Sequence, residues 1–213
     1  MKWFVRCGAF LLAFLIGIIA FAANISNGLR DCVVDVSDVQ NEADMEDIAA
    51  RNLEEKVAVY SAILKDSRHS DTKTIVVSEM TERGGLIMDE QIDKREVPGA
   101  DESTVESYHA NNLTSESIRD SLSKIPKVVV FTELDANSVT HKEIFDMKLF
   151  SKRYPDSGGL LSFSDIGFNA KHDQALVYFS YYCGMLCAGG SFIILEKKAG
   201  HWNVSRRNEL WVS

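Results

Sequence analysis

Five side chains toward the carboxyl terminus have the types and spacing to do chemistry: Asp165, His172, Tyr178, Cys183 and Cys187. The cysteines lie four apart in the stretch YFSYYCGMLCAGGSF, residues 178–192, among glycines and aromatics. Three roles compete for them. As a staple they would close a small loop across a β-turn, provided their Cα atoms come within about 7 Å, and loop entropy makes such a closure worth roughly 2 kcal/mol. As a redox pair they depart from pattern, because a thiol–disulfide oxidoreductase sets CxxC at a helix amino terminus, where the dipole stabilises the thiolate. As half of a zinc site they want a second Cys or His pair, and His201, the one nearby ligand type, suits a turn better. Cys32 leaves an alternative pairing open.

Asp165, His172 and Tyr178 are candidates for lining a pocket. His172 and Asp173 resemble an acid–base pair, but adjacent loop residues point apart and serve a turn as readily. Ser157, Ser162 and Ser164 lie near glycines without forming a GxSxG elbow, and neither a phosphate-binding GxxxxGK[ST] loop nor an HExxH zinc motif is present. The motifs thus imply no cofactor and no metal.

Charge and composition narrow the classes further. The chain of 213 residues carries 23 Lys and Arg against 31 Asp and Glu, a net charge of −8. Such a surface repels phosphate backbones and anionic headgroups, so nucleic acid is not an expected partner. Lys2 and Arg6 precede an apolar run over residues 7–23, which reads as an export segment. Ala20 and Ala22 fit signal-peptide cleavage, while the run is also just long enough to stay as a membrane anchor. Either way residues 24–213 should lie outside the cytoplasm, touching the membrane only through that segment. Residues 24–40 read as a tether and 41–213 as a single domain.

The elements that must position these side chains follow from periodicity. Met45, Leu53, Val57, Tyr60 and Leu64, with Ile48 and Ala49, make a buried stripe on a helix over 42–65 capped by Asn41. A β-branched strand is predicted at 74–80 and another at 127–133, with a short helix at 115–124 between them. Residues 81–112 are polar and read as a long loop. Thr140 and Glu143 form a capping box for a helix running to about residue 153. Four β-segments follow, near 160–168, 174–183, 190–198 and 201–212. The second and third are apolar on both parities and should be central. In the first, the apolar parity switches between Phe163 and Ile166, which calls for a bulge. Ala199-Gly200 should turn a tight hairpin, and Trp202, Val204, Leu210 and Val212 should share one face. The fold class expected is α+β: helices with interleaved strands, then a four-stranded antiparallel meander, with a sheet that can curve.

The motifs Gly167-Phe168-Asn169, Ala175-Leu176-Val177-Tyr178, Cys183-Gly184 with Cys187, Leu195-Glu196-Lys197, Gly200-His201-Trp202 and Trp211-Val212-Ser213 together resemble those of a group of uncharacterised bacterial exported or membrane-anchored proteins. Val59 to Leu64 and Thr74 to Val77 look like the upstream half of the same pattern. That resemblance implies architecture and location but no mechanism. The expected function is therefore a non-enzymatic binding or envelope-associated module with a protein or small-molecule ligand. The alternative is an extracytoplasmic hydrolase, or a thiol or metal enzyme, with its site between the sheet and the 81–112 loop.

Overall fold

The computed structural model describes residues 36–67, 71–83, 97–132, 147–184 and 186–213. The export segment, the Thr140–Glu143 capping box and most of the tether lie outside them. Among the described residues no helix is long and apolar enough to cross a membrane.

Compactness divides the chain into Met1–Ile48 and Ala49–Ser213. Of the first unit, only helical residues from Val36 onward are described. They belong to helix α1, Val36–Asp66, which begins inside the stretch expected as tether and makes Asn41 an interior residue rather than a cap. The expected stripe is also shorter than predicted, for Met45 and Ile48 are 70% and 51% exposed, while Val59, Tyr60, Ile63 and Leu64 are buried.

The second unit is built on one mixed sheet. Its strands are β1 (Thr74–Ser78), β2 (Val128–Phe131), β3 (Ser157–Phe163), β4 (Gly167–Phe168), β5 (Gln174–Gly184), β6 (Cys187–Lys198) and β7 (His201–Val212). They are ordered β2-β1-β3-β5-β6-β7, with β4 pairing on β5. β1 runs parallel to both β2 and β3, whereas β3, β5, β6 and β7 form the antiparallel meander. The architecture is α+β, with the interleaved strands extending the meander at its β3 side.

Both faces of β5 and β6 are covered, as their continuous apolar runs require. On one face, Tyr60 and Ile63 of α1 pack with Phe163, Val177, Phe179, Ile193 and Leu195, and Leu122 of the one-turn helix α3 (Arg119–Leu122) joins them. The opposite face is covered in two places. Helix α2, Glu102–Asn111, sets Val105 and Tyr108 on Leu176, Tyr178, Phe192 and Ile194. Helix α4, Met147–Arg153, sets Phe150 against Val76 and Phe131.

Two local expectations are corrected. Much of the 81–112 stretch is not a solvated loop: Thr81, Val97 and Ala100 are buried and 102–111 is helical, while residues 84–96 lie outside the described set. In β7, register shifts opposite Gly190/Ser191 and Ile194/Leu195 break the alternation between Val204 and Trp211 and together restore it, so Val212 returns to the face of Trp202 and Val204 but lies beyond the part of that face that is covered. Trp202 is buried, but Leu210 and Val212 are 38% and 61% exposed, and Trp211 turns inward instead.

Candidate functional site

The five chemistry-bearing side chains do not converge. Asp165 is buried and committed to structure: its carboxylate meets Lys56 of α1 at 2.7 Å and accepts the Ile166 N–H at 2.8 Å. His172 lies in the β4–β5 turn at φ 53°, its ring stacked on Phe168 at 5.1 Å. Its N–H donates to the Asn169 carbonyl, so it serves the turn. Tyr178 is buried on the face beneath α2, and Cys183 and Cys187 stand at the far end of the β5–β6 hairpin. Those two are joined by a disulfide with Cα atoms 5.0 Å apart. A sulfur in a disulfide is neither a thiolate nucleophile nor a metal ligand.

The parity switch before Ile166 is deeper than a bulge. β3 ends at Phe163 and β4 begins at Gly167, and α2 supplies the hydrogen bonds the ladder loses. Asn112 accepts the Asp165 N–H at 2.8 Å and donates to the Asp165 carbonyl at 3.1 Å, Asn111 donates to the Ile166 carbonyl, and Ser107 accepts the Phe168 N–H. Helix α2 is therefore locked on the sheet and holds Tyr108 over it.

Under α2, and past the end of β3, Tyr178 joins Glu82, Tyr108 and Trp211, which the sequence did not single out, in the region between the sheet and the 81–112 stretch. Glu82 is placed by its N–H, which donates to the Phe163 carbonyl, and by Thr81, which bonds back and forth with residues 115–116. Its carboxylate accepts the Ser180 hydroxyl at 2.5 Å. Tyr178 shares that face of β5; its hydroxyl reaches over Gly190 and accepts the Trp211 Nε1–H at 3.1 Å. Tyr108 completes the cluster, and among the described residues no hydrogen bond to its buried hydroxyl meets the geometric limits. The Ser164 hydroxyl, which donates to the Asp165 carbonyl, lies beside it and partly opposes the rise that burial imposes on the phenol. Gly190 admits the arrangement, since a Cβ there would overlap both the Tyr178 hydroxyl and the Trp211 indole nitrogen.

Burial dominates the electrostatics here. It raises the Glu82 carboxyl, with the Ser180 hydrogen bond only partly opposing. Burial and then the Glu82 charge push Tyr178 up to about 12, and burial, with smaller contributions from Tyr178 and Glu82, raises Tyr108 further still. Glu55 of α1 behaves oppositely. Burial raises it, but hydrogen bonds from Lys197 and Trp202 outweigh burial and hold the carboxyl below its ordinary value.

The two acids thus carry opposite pH signatures. Glu55, with its folded pKa depressed, contributes stability above pH 4.5 that is lost as pH falls through the folded value. Glu82, with its folded pKa raised, contributes a penalty that grows as pH rises from 4.5 through its folded value. In urea unfolding at pH 7, E55Q should lose about 1 kcal/mol and E82Q should gain stability. Both differences should shrink toward zero at acid pH, and parallel pH profiles for the two variants would contradict the assignment.

No family model, curated protein or solved structure is similar enough to this chain to carry an argument. Function has to be argued from the residues themselves.

Proposed function

We propose that the protein is an exported, non-enzymatic binding module that meets a protein partner with the disulfide-closed end of its sheet. The observation that carries this reading is the apolar rim there. Leu186, 89% exposed, sits in the turn that the Cys183–Cys187 bond closes. Beside it, Ala188 exchanges backbone hydrogen bonds with Ser213, which brings Val212 and Leu210 of β7 to the same end.

An exposed leucine at a turn costs solubility, and a covalent clamp lowers the entropy lost when that turn is fixed against a partner. An oxidising compartment is where such a clamp persists, which agrees with the export segment. The alternative thiol or metal chemistry has no free sulfur at this pair once the bond is formed. Hydrolytic chemistry through Asp165 would first have to break the Lys56 ion pair.

A photo-crosslinking amino acid placed at position 186 or 212 in the producing cell tests the proposal. The expected result is one discrete adduct from both positions, absent from position 149 on α4 and weakened in the C183S/C187S variant. Identical adduct patterns at 149 and 186, or none at any position, would overturn it.

A further inference from the structure

The sheet has two edges, β2 and β7. β2 is 4 residues long, whereas β7 runs for 12, from His201 to Val212. β7 pairs with β6 along one side, and in an antiparallel ladder every second residue directs its N–H and C=O to the other side. A long edge strand is a template for a further strand unless something guards it.

Two features guard this one. The register shifts leave Ser205 and Leu210 without a partner on β6 and confine regular pairing to residues 206–209 between them. The second feature is charge, for Arg206 and Arg207 stand side by side in that stretch, both exposed, in a chain of net charge −8. Pairing β7 of two copies about its middle would set arginine against arginine, which is unfavourable. The same two cations favour carboxylates.

The arginines are held in place. Arg206 is opposite Ile194, on the face under α2, and lies across Gly99, where a Cβ would stand 3.5 Å from its Nε. Arg207 is opposite Ile193, on the α1 face, its guanidinium 5.5 Å above the Phe179 ring and 3.5 Å from Asp66. A guanidinium already positioned loses less entropy when it engages a carboxylate. Consecutive strand residues face opposite sides, so one cation stands on each face of the same short edge.

We infer that the β7 edge docks an extended acidic segment of the protein partner, which adds a strand along residues 206–209 and sets two neighbouring carboxylates against Arg206 and Arg207. Main-chain bonds supply the attachment and the carboxylates supply the choice. Acids at alternate positions would all lie on one face and reach only one arginine. Glu209, at the end of the stretch, disfavours an acid opposite itself and so fixes the register. The inference rests on the reading of the hairpin end as a protein-binding surface, because Leu210 and Val212 of that rim continue the same strand.

Titration of the purified, isotopically labelled protein with the peptide acetyl-TVTEETVT-amide, followed by NMR, tests it. Saturable shifts are expected at residues 206–209, with slowed hydrogen exchange at alternate amides, the mark of a new ladder. Lysine in place of both glutamates should abolish binding, and proline in place of the two residues flanking them should weaken it by about tenfold, since proline gives no N–H to a ladder. R206E/R207E should lose the glutamate peptide by about tenfold or more and gain the lysine peptide, a swap that a misfolded variant cannot produce. R206E alone, which leaves the Arg207–Asp66 pair in place, should show a smaller loss. No saturable shift at millimolar peptide, shifts away from β7, equal affinity for the glutamate and lysine peptides, or undiminished binding of the proline peptide would each overturn the inference. So would protection of the same amides by self-association before peptide is added. Crosslinking from position 186 without peptide binding would sink this inference alone, and peptide binding without that crosslinking would sink the rim reading alone.

Discussion

Tyr60→Ala should lower the unfolding free energy by about 3–5 kcal/mol, the range for deleting a buried aromatic ring. Tyr60 is fully buried on α1, its ring 4.9 Å from that of Phe163 on β3. Its hydroxyl donates to the Ser164 carbonyl at 3.0 Å, where the β3 ladder has just ended. The alanine variant therefore opens a cavity between helix and sheet and orphans a buried carbonyl at once. Tyr60→Phe separates the two effects: it keeps the ring and should cost about 1–3 kcal/mol, the penalty for one unsatisfied buried acceptor. A domain of this size has about 5–15 kcal/mol to lose, so the alanine variant should show a much lower urea midpoint and the phenylalanine variant a modest one. Equal midpoints for the two would mean that the ring contributes little and that α1 is held by its ion pairs instead.

Tyr60 also marks what was legible in the sequence. Its place on the α1 stripe follows from spacing alone, and so do the covered faces of β5 and β6 and the two-residue turn at Ala199-Gly200. Both turn residues have positive φ, 51° and 80°, as a tight hairpin between right-twisted strands demands. The order of the strands was not legible. Parallel pairing of β1 with β2 and β3 depends on crossovers, and no local pattern reports which edge a crossover returns to. Helix α2 was missed for a different reason. Its sequence ESTVESYHAN buries only Thr104, Val105 and Tyr108, too few apolar positions to make a stripe. It is held instead by polar bonds to distant residues: Gln174 accepts from Thr104 Oγ1 at 2.9 Å and from the Asp101 N–H, and Asn111 and Asn112 bond residues 165–166.

Tyr178 and the region between the sheet and 81–112 were named from the sequence, but Glu82 was not, for that same reason. An acid in an acid-rich stretch carries no signal until one knows that the Phe163 carbonyl fixes its backbone and that the Ser180 hydroxyl meets its carboxylate. Trp211 was hidden too, because alternation sets it on the face opposite Trp202, and only α2 makes that face a covered one. The two bulges cancel in parity and leave it there, beside Tyr178. By contrast Asp165 and His172, chosen for residue type and for a glycine-rich setting, are consumed by an ion pair and a turn. Sequence singled out titratable residues near breaks in the strand pattern, and the break at 164–166 is a junction where buried polar groups are needed to replace ladder bonds.

Gly167→Ala should be the most disruptive small substitution at that junction. Gly167 does not need glycine's backbone freedom; it needs the absence of a side chain. A Cβ there would stand 2.5 Å from the Tyr108 nitrogen and 2.6 Å from the Thr104 carbonyl oxygen, both backbone atoms of α2. Backbone on both sides cannot yield by a rotamer change, so the helix must lift as a unit. Overpacking costs about 1–3 kcal/mol where side chains absorb it, and a cost at or above the top of that range is expected here. Lifting α2 would also loosen the Asn112 clamp on Asp165. Urea unfolding should show the loss of stability. Crosslinking from position 186 should persist, since the hairpin end is tied by its disulfide and by β7 rather than by α2. If the alanine variant matched the parent in stability, the close seating of α2 on β4 would be wrong.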